Sequence, residues 1–306
     1  MRTESSSKRR FRRASLLLLL LALSGCDLLR LFSIDPADGK TEKAAAKKPA
    51  PPGKHSFRQP PFTFCYDFDD LKRDHPLFKD LEGLRDQIAK ELHVPAGTTP
   101  IQVYLFEDQP RFEKFMRATD EKLPTDRRAF FMAPQRPMGG AADLLVYTFW
   151  GKNDRIQQDL RHELTHALLH SVLREVPMWL DEGLAENFEL PPETRGVNTT
   201  HVECFRRAIQ DGTFKADLAR LEGLTKIKDM NAAEYREAWA WVHLMLHSTP
   251  EAKKVLRNYL TQLKTNPYPG ALAPRLAVVF PSPAEALKKH LLELDAGEPP
   301  ALVPPR

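Results

Sequence analysis

The chain has 306 residues, of which 42% are hydrophobic and 28% charged, and its formal net charge is +4. The first 25 residues carry six positive charges and one negative charge, so the remainder carries 4 − 5 = −1. The whole chain has an alkaline isoelectric point because of these 25 residues. The rest of the chain has no excess of basic residues of the kind that accompanies nucleic-acid binding. We expect no nucleic-acid partner.

The N-terminus has the order of a secretory signal. A basic region before residue 14 precedes the eight apolar residues Leu16–Leu23, which are too few to span a bilayer, and Leu23-Ser24-Gly25-Cys26 follows. This ending resembles the bacterial lipobox, in which the signal is removed and the cysteine is lipidated. The resemblance implies a signal peptide at residues 1–25, a lipid on Cys26, and anchoring in the cell envelope on the periplasmic or extracellular face. Alternatively, Cys26 is an ordinary residue near another type of signal cleavage site.

Two segments lack the composition needed for a core. From Pro36 to Pro61 the chain is rich in Pro, Ala and Lys, and Phe57 is its only large apolar residue. We predict that residues 26–61 form a disordered tether between the membrane and the domain. The last ten residues, 297–306, contain four prolines and are predicted to be a disordered tail. Residues 62–296 are enough for one domain with a sizeable core.

The elements of this domain follow a simple order. Short runs rich in aromatic and β-branched residues predict strands at Phe62–Phe68, Ile101–Phe106, Ala129–Met132 and Leu144–Phe149. Helical patterns separate the first three strands, at Leu77–Leu92 and Arg111–Thr119, and then fill 154–173, 178–189, 199–211, 232–247, 251–264 and 284–294. This order predicts an α+β fold with a mixed-sheet N-terminal lobe followed by an α-helical lobe. Leu144–Phe149 is either an edge strand that accepts a peptide or an ordinary buried strand.

The helix predicted at 154–173, with Asp154 as a plausible N-cap, contains His162-Glu163-Leu164-Thr165-His166. Two histidines four residues apart lie on one helix face and can reach a single zinc ion at about 2.0–2.1 Å. Glu163 is then placed to activate a water molecule at the metal. Glu182, in Trp179-Leu180-Asp181-Glu182-Gly183, would complete the three protein ligands of a catalytic zinc, one ion per chain. The alternative is a solvated cluster of histidines and carboxylates on the surface.

Two neighbouring residues need separate assignments. Glu186 lies one turn after Glu182, and two carboxylates so close repel each other unless a cation or a hydrogen-bond donor separates them. We therefore predict that Glu186 accepts a hydrogen bond from the imidazole of a ligand histidine. His170 continues the four-residue series, but eight residues of helix rise about 12 Å, so it cannot join His162 and His166 on one ion. We expect it at the edge of the core or beside the ligands.

The segments H-E-L-T-H and W-L-D-E-G-L-A-E together resemble the zinc-binding core of the gluzincins, the metallopeptidases that include thermolysin and the aminopeptidase N family. The nearest likeness is to the peptidase-MA-like domains of bacterial secreted and lipid-anchored proteins. The resemblance covers about Asp159 to Glu189 and implies zinc ligands His162, His166 and Glu182, with Glu163 as the base. It also implies a zinc cleft between the two lobes. Only fifteen residues separate His166 from Glu182, which is fewer than in thermolysin or aminopeptidase N.

A weaker likeness lies farther along the chain. Tyr235 opens a Y-x-x-x-W-x-x-V-x-x-L segment that recurs in peptidase-MA-like proteins, and related enzymes supply a tyrosine or histidine from such a helix to the developing oxyanion. The resemblance implies this role for Tyr235, and a packing or capping role for its hydroxyl is the alternative. Cys65 and Cys204 could pair in an oxidising compartment, or Cys65 could be a buried thiol.

Two functions are compatible with these residues. The first is a membrane-anchored zinc peptidase that hydrolyses a peptide or protein substrate. The second is a surface binding or assembly protein with a peptidase-like fold and a structural zinc site. Glu163 favours the first, because a purely structural zinc site has no use for a base.

Overall fold

A five-stranded mixed sheet builds the N-terminal part of the domain in the computed structural model, which describes residues 49–69, 71–119, 127–134, 143–173 and 175–295. The predicted signal peptide, Cys26, most of the predicted tether and the predicted tail lie outside these residues. The strands run in the spatial order β1-β2-β3-β5-β4, with parallel pairs β2–β3 and β3–β5 and antiparallel pairs β1–β2 and β4–β5. Their bounds are β1 His55–Gln59, β2 Phe62–Tyr66, β3 Ile101–Phe106, β4 Ala129–Met132 and β5 Leu144–Phe149.

Helices dominate the chain after the last strand, which confirms the α+β fold with a mixed sheet followed by a helical part. Two helices are interleaved with the strands, α1 Pro76–Leu92 and α2 Gln109–Thr119. The others are α3 Ile156–His170, α4 Met178–Phe188, α5 Thr199–Gln210, α6 Leu218–Glu222, α7 Ala232–His247, α8 Pro250–Leu263, α9 Ala273–Val279 and α10 Pro283–Glu293. Among the described residues, no helix combines the length and the apolar character that crossing a membrane requires.

The packing of α3, α4 and α7 places the candidate site. Leu160, Leu164 and Ala167 bury one face of α3 completely, and α3 packs on β4, β5 and α4. Helix α4 packs against α7 so closely that a Cβ at Gly183 would lie 2.6 Å from the carbonyl oxygen of Ala238. Only glycine fits this contact without a shift of the backbone. The residue after Glu182 thus sets how near α4 approaches α7.

The tether prediction was wrong at its C-terminal end. Residues 55–59 form β1, which pairs with β2. Phe57 is 7% exposed and stacks on Phe64 at 4.9 Å, with Phe78 at 4.7 Å. One aromatic residue on the inner face was enough to hold this short strand, because its pairing partner supplies the rest of the core.

Three further details differ from the sequence predictions. Leu144–Phe149 is not an edge strand, since β5 pairs with β3 on one side and β4 on the other. Helix α3 begins at Ile156 with Arg155 at the N-cap position and no side-chain cap, so Asp154 does not cap it. The carbonyl oxygen of the Asn153 side chain instead accepts a hydrogen bond from the Arg155 backbone N–H. Cys65 and Cys204 are both free thiols, so the alternative of a disulfide between them was wrong.

Candidate metal centre

The structure brings the three predicted zinc ligands together from two helices. The Nε2 atom of His162 lies 3.4 Å from Oε2 of Glu182, and Nε2 of His166 lies 3.6 Å from the same oxygen. Two ligand atoms that bind one zinc tetrahedrally at 2.0–2.1 Å are about 3.4 Å apart. The potential ligand atoms of His162, His166 and Glu182 all lie within 4.8 Å of one another. The donor types and their spacing therefore fit a zinc ion.

A carboxylate lies beside the Nδ1 atom of each imidazole. Nδ1 of His162 hydrogen-bonds with Oε2 of Glu189 at 2.9 Å, whereas Nδ1 of His166 lies 3.0 Å from Oδ2 of Asp181 in an ion-pair contact that is not aligned as a hydrogen bond. A carboxylate at Nδ1 keeps the proton on that nitrogen and leaves Nε2 free for a metal. Both Nε2 atoms accordingly face Glu182. This arrangement is the usual surrounding of histidines that bind zinc.

Glu186 does not take the position predicted for it. Its carboxylate contacts Nε2 of His201 at 2.8 Å, and Glu189 holds His162 instead. The physical reason is helix geometry: four residues overshoot one turn, whereas the seven residues from Glu182 to Glu189 make nearly two full turns and return to the same direction. Glu186 stays nearby, since its ligand atom and those of His162 and Glu189 also lie within 4.8 Å of one another.

The charges of the site are tightly balanced. Burial lowers the pKa of His166, but the carboxylates of Asp181 and Glu182 outweigh it and raise that pKa to about 10. Burial raises the pKa of Glu182, but His166 and His162 bring it down to about 2. Both shifts have one physical cause, the attraction between buried carboxylates and positive charge on the imidazoles. Protonated imidazoles supply positive charge here, and a divalent cation bound by neutral imidazoles would supply it equally.

Glu163 lies between the two histidines in sequence but is not part of the candidate ligand set. Its side chain is buried, and this burial raises the pKa of its carboxyl above the usual value, opposed by His162 and His166. A carboxylate whose pKa is moved toward neutrality can take a proton and give it back, which is the requirement for a base that later acts as an acid.

Tyr235 and Arg127 face the same site from other elements. Tyr235 lies in the first turn of α7, directly after the capping box that Asn231 and Glu234 form at the helix N-terminus. Its hydroxyl oxygen accepts a hydrogen bond from Nη2 of Arg127 at 3.2 Å. Burial alone would lower the pKa of Arg127, but Tyr235 and the carboxylates of Glu182 and Glu163 raise it, which places this guanidinium in the field of the site.

Arg127 was not found from the sequence. It belongs to no motif, and the one available signal was its position two residues before the strand Ala129–Met132. His170, in contrast, lies beside the candidate ligands as expected. Its Nε2 atom is 3.1 Å from Oδ2 of Asp181, the same oxygen that faces His166. Phe131 of β4 stacks on the His166 ring at 6.2 Å with an interplanar angle of 17°.

Residues 157–267, which include the candidate ligands and Tyr235, match a family described as "Protein of unknown function (DUF1570)". No curated protein matches the chain. Among solved structures the chain is similar to an M1 zinc metallopeptidase from Deinococcus radiodurans, at 15% identity and a TM-score of 0.41, over 83% of this chain and 54% of that one. The chain thus spans about half the length of that enzyme.

Proposed function

We propose that this protein is a zinc-dependent peptidase. The observation that carries the proposal is the convergence of two Nε2 atoms on one oxygen of Glu182, at 3.4 and 3.6 Å, beside a buried glutamate that is not a ligand. His162, His166 and Glu182 would hold the zinc ion. Bound there, zinc would supply Lewis-acid chemistry that polarises a peptide carbonyl and makes a water molecule more acidic.

The residues around the ligands supply the remaining steps. Glu163 removes a proton from the attacking water as the carbon–oxygen bond forms. It then delivers that proton to the amine nitrogen as the carbon–nitrogen bond breaks. Tyr235 donates a hydrogen bond to the carbonyl oxygen as negative charge develops on it and keeps its proton. A tyrosine hydroxyl is protonated at neutral pH, and burial raises the pKa of Tyr235 further above its usual value.

Arg127 positions the tyrosine in this scheme. A hydroxyl has one hydrogen to donate and two lone pairs to accept with, and Arg127 donates to one of the lone pairs. The hydroxyl hydrogen is therefore left for the substrate. The positive charge of Arg127 also favours a developing oxyanion nearby.

The substrate chain would extend along β4. In the described part of the sheet β4 lies at the end of the strand order, paired with β5 only. An extended peptide can add to such an edge through main-chain hydrogen bonds. Phe131 of β4 already contacts the ring of His166, so a peptide on this edge would pass close to the candidate ligands.

Metal analysis and a peptidase assay test the proposal together. The protein should bind one zinc ion, and His162→Ala, His166→Ala or Glu182→Ala should each lose it. Full zinc occupancy in Glu182→Ala would remove Glu182 from the ligand set. Cleavage of a fluorogenic peptide library should depend on the metal and stop when a chelator is added.

The Glu163→Gln variant separates catalysis from metal binding. It should keep the zinc content and melting temperature of the wild type and lose about 10²–10⁴-fold in turnover, since it removes only the base. Glu203→Gln, the same change on the exposed surface of α5, is the control and should be fully active. If the wild type binds zinc but cleaves nothing, the second function, a binding or assembly protein with a structural zinc site, takes its place.

A further inference from the structure

A pocket between the C-terminal end of α1, the end of α7 and the first turns of α8 is lined by basic side chains. It is an open pocket of about 490 Å³, within the volume range of small-molecule sites, and shares no lining residue with the candidate metal centre. No acidic residue lines it. The basic residues around it are His93, Arg195, His247, Lys253, Lys254 and Arg257.

These positive charges are not neutralised by the protein. Among the residues that the structure describes, no carboxylate forms an ion pair with Arg195, Lys253 or Lys254. Arg257 donates from Nε to the backbone carbonyl oxygen of Glu91 at 3.0 Å, which fixes the guanidinium and leaves its two Nη groups for another partner. Because the chain after residue 25 has a net charge of −1, this group of cations is a local surplus.

Two further features of the pocket favour an anion. Helix α8, of fourteen residues, begins there with Thr249 at its N-cap, so the positive end of its dipole adds to the field. His247 lines the pocket, and its buried Nε2 has no hydrogen-bond partner within the described ranges. Burial first, and then the cations Lys253 and Arg195, lower the pKa of His247 to about 4. The neighbouring cations thus already repel a proton at this position.

We propose that this pocket binds a phosphate group, either of a free phosphorylated molecule or of a lipid headgroup. Phosphate presents several oxygens to different sides, so it can accept hydrogen bonds from Arg195, from the free Nη groups of Arg257 and from the lysines at the same time. The volume leaves room for the organic part that carries the phosphate. This site is independent of the proposed peptidase activity.

Titration of the full chain with inorganic phosphate, followed by calorimetry and by the NMR signals of His247, tests the proposal. We expect saturable binding that Lys253→Ala/Lys254→Ala weakens by about tenfold or more, since charge-assisted hydrogen bonds are lost. The matched control is Lys288→Ala/Lys289→Ala on α10, which removes the same charge from a similarly exposed pair outside the pocket and should bind normally. Absence of saturable binding, or equal weakening in both double variants, would overturn the assignment.

Competition distinguishes the two sources of the phosphate. Glycerol phosphate, a monoester, and glycerophosphoglycerol, a diester like that of a phospholipid, are added to the phosphate complex. Stronger displacement by the monoester supports a soluble phosphorylated ligand, and stronger displacement by the diester supports a lipid headgroup. Displacement by neither, at concentrations where inorganic phosphate saturates, contradicts a pocket for an organic phosphate.

Discussion

Replacing Glu189 with glutamine tests which carboxylate supports the metal. Glu189 accepts from Nδ1 of His162 through one oxygen, and its other oxygen accepts from the side-chain amide of Gln158. Arg161, which is fully buried, donates to the carbonyl oxygen of Phe188 at 3.0 Å and so fixes the backbone just before Glu189. The carboxylate is therefore held at His162 by its own contacts and by the chain that carries it.

The size of the effect follows from the kind of bond that is lost. A glutamine keeps an oxygen that can still accept from Nδ1, but its amide NH2 then faces the amide of Gln158, so the charge and the hydrogen bond from Gln158 are both lost. A charge-assisted hydrogen bond is about twice as strong as a neutral one. We expect a loss of about 1.4 kcal/mol, or about tenfold in zinc affinity, and up to about 100-fold for Glu189→Ala, which removes the acceptor completely.

Zinc affinity is measured at neutral pH by competition with a chromophoric chelator. Glu186→Gln is the matched control, because it makes the same change three residues away at a carboxylate that contacts His201 instead. Its zinc affinity should fall less than that of Glu189→Gln, because Glu186 lies near His162 without bonding to it. If Glu186→Gln weakens zinc and Glu189→Gln does not, then Glu186 supports the ligand histidine and the argument from the contacts is wrong.

Three further predictions concern other parts of the chain. Tyr235→Phe should lower kcat by about 10²–10³-fold with little change in KM, and Arg127→Ala should cost little more in that background, because the two residues act as one unit in a double-mutant cycle. The pKa of His247 is about 4 in the folded protein and about 6.5 in the unfolded chain. Below pH 6.5 the unfolded chain therefore binds more protons, and the free energy of unfolding falls as the pH drops. Between about pH 7.5 and 5, the unfolding free energy of the wild type should therefore fall by about 2 kcal/mol because of His247. The His247→Gln variant should lack this part of the decrease when both proteins are unfolded with urea in phosphate-free buffer. Cys26→Ser should release the protein from the membrane fraction or block its processing.

Each of these has an outcome that would contradict it. Additive losses in the cycle would mean that Arg127 acts apart from Tyr235. An unchanged pH profile in His247→Gln would show that this imidazole titrates normally in the folded protein. Mass spectrometry of the mature N-terminus that finds Cys26 without a lipid would refute the anchor.

Most helices and strands could be predicted because their signals are local. Ala232–His247 was predicted with the bounds that the structure shows, and it begins with a capping box and carries apolar residues along its length. The strand β1 could not be predicted, because a single buried phenylalanine in a segment rich in proline and lysine gives no periodic pattern. Helices α6 and α9 were missed for a similar reason, since five and seven residues are too short to show one.

The order of the strands could not be predicted from the sequence, because it depends on which strands pair across the sheet. β4 and β5 are both short apolar runs, and nothing in their composition tells which one lies at the end. The structure places β4 there, and with it Phe131 against His166. The proposed path of the substrate follows from this order and would have been assigned to the wrong strand without it.

The sequence predicts the ligand histidines better than it predicts the carboxylates that lie beside them. His162 and His166 are four residues apart on one helix, so the sequence alone places them on the same face. The carboxylates beside their Nδ1 atoms come from α4 and from the residue after it, and their reach depends on the crossing of α3 with α4. That crossing depends in turn on how near α4 approaches α7, where Gly183 leaves room for the carbonyl oxygen of Ala238. Gly183→Ala should therefore weaken zinc binding through Asp181 and Glu182 together, and wild-type zinc affinity in this variant would show that the ligands adapt without the close contact.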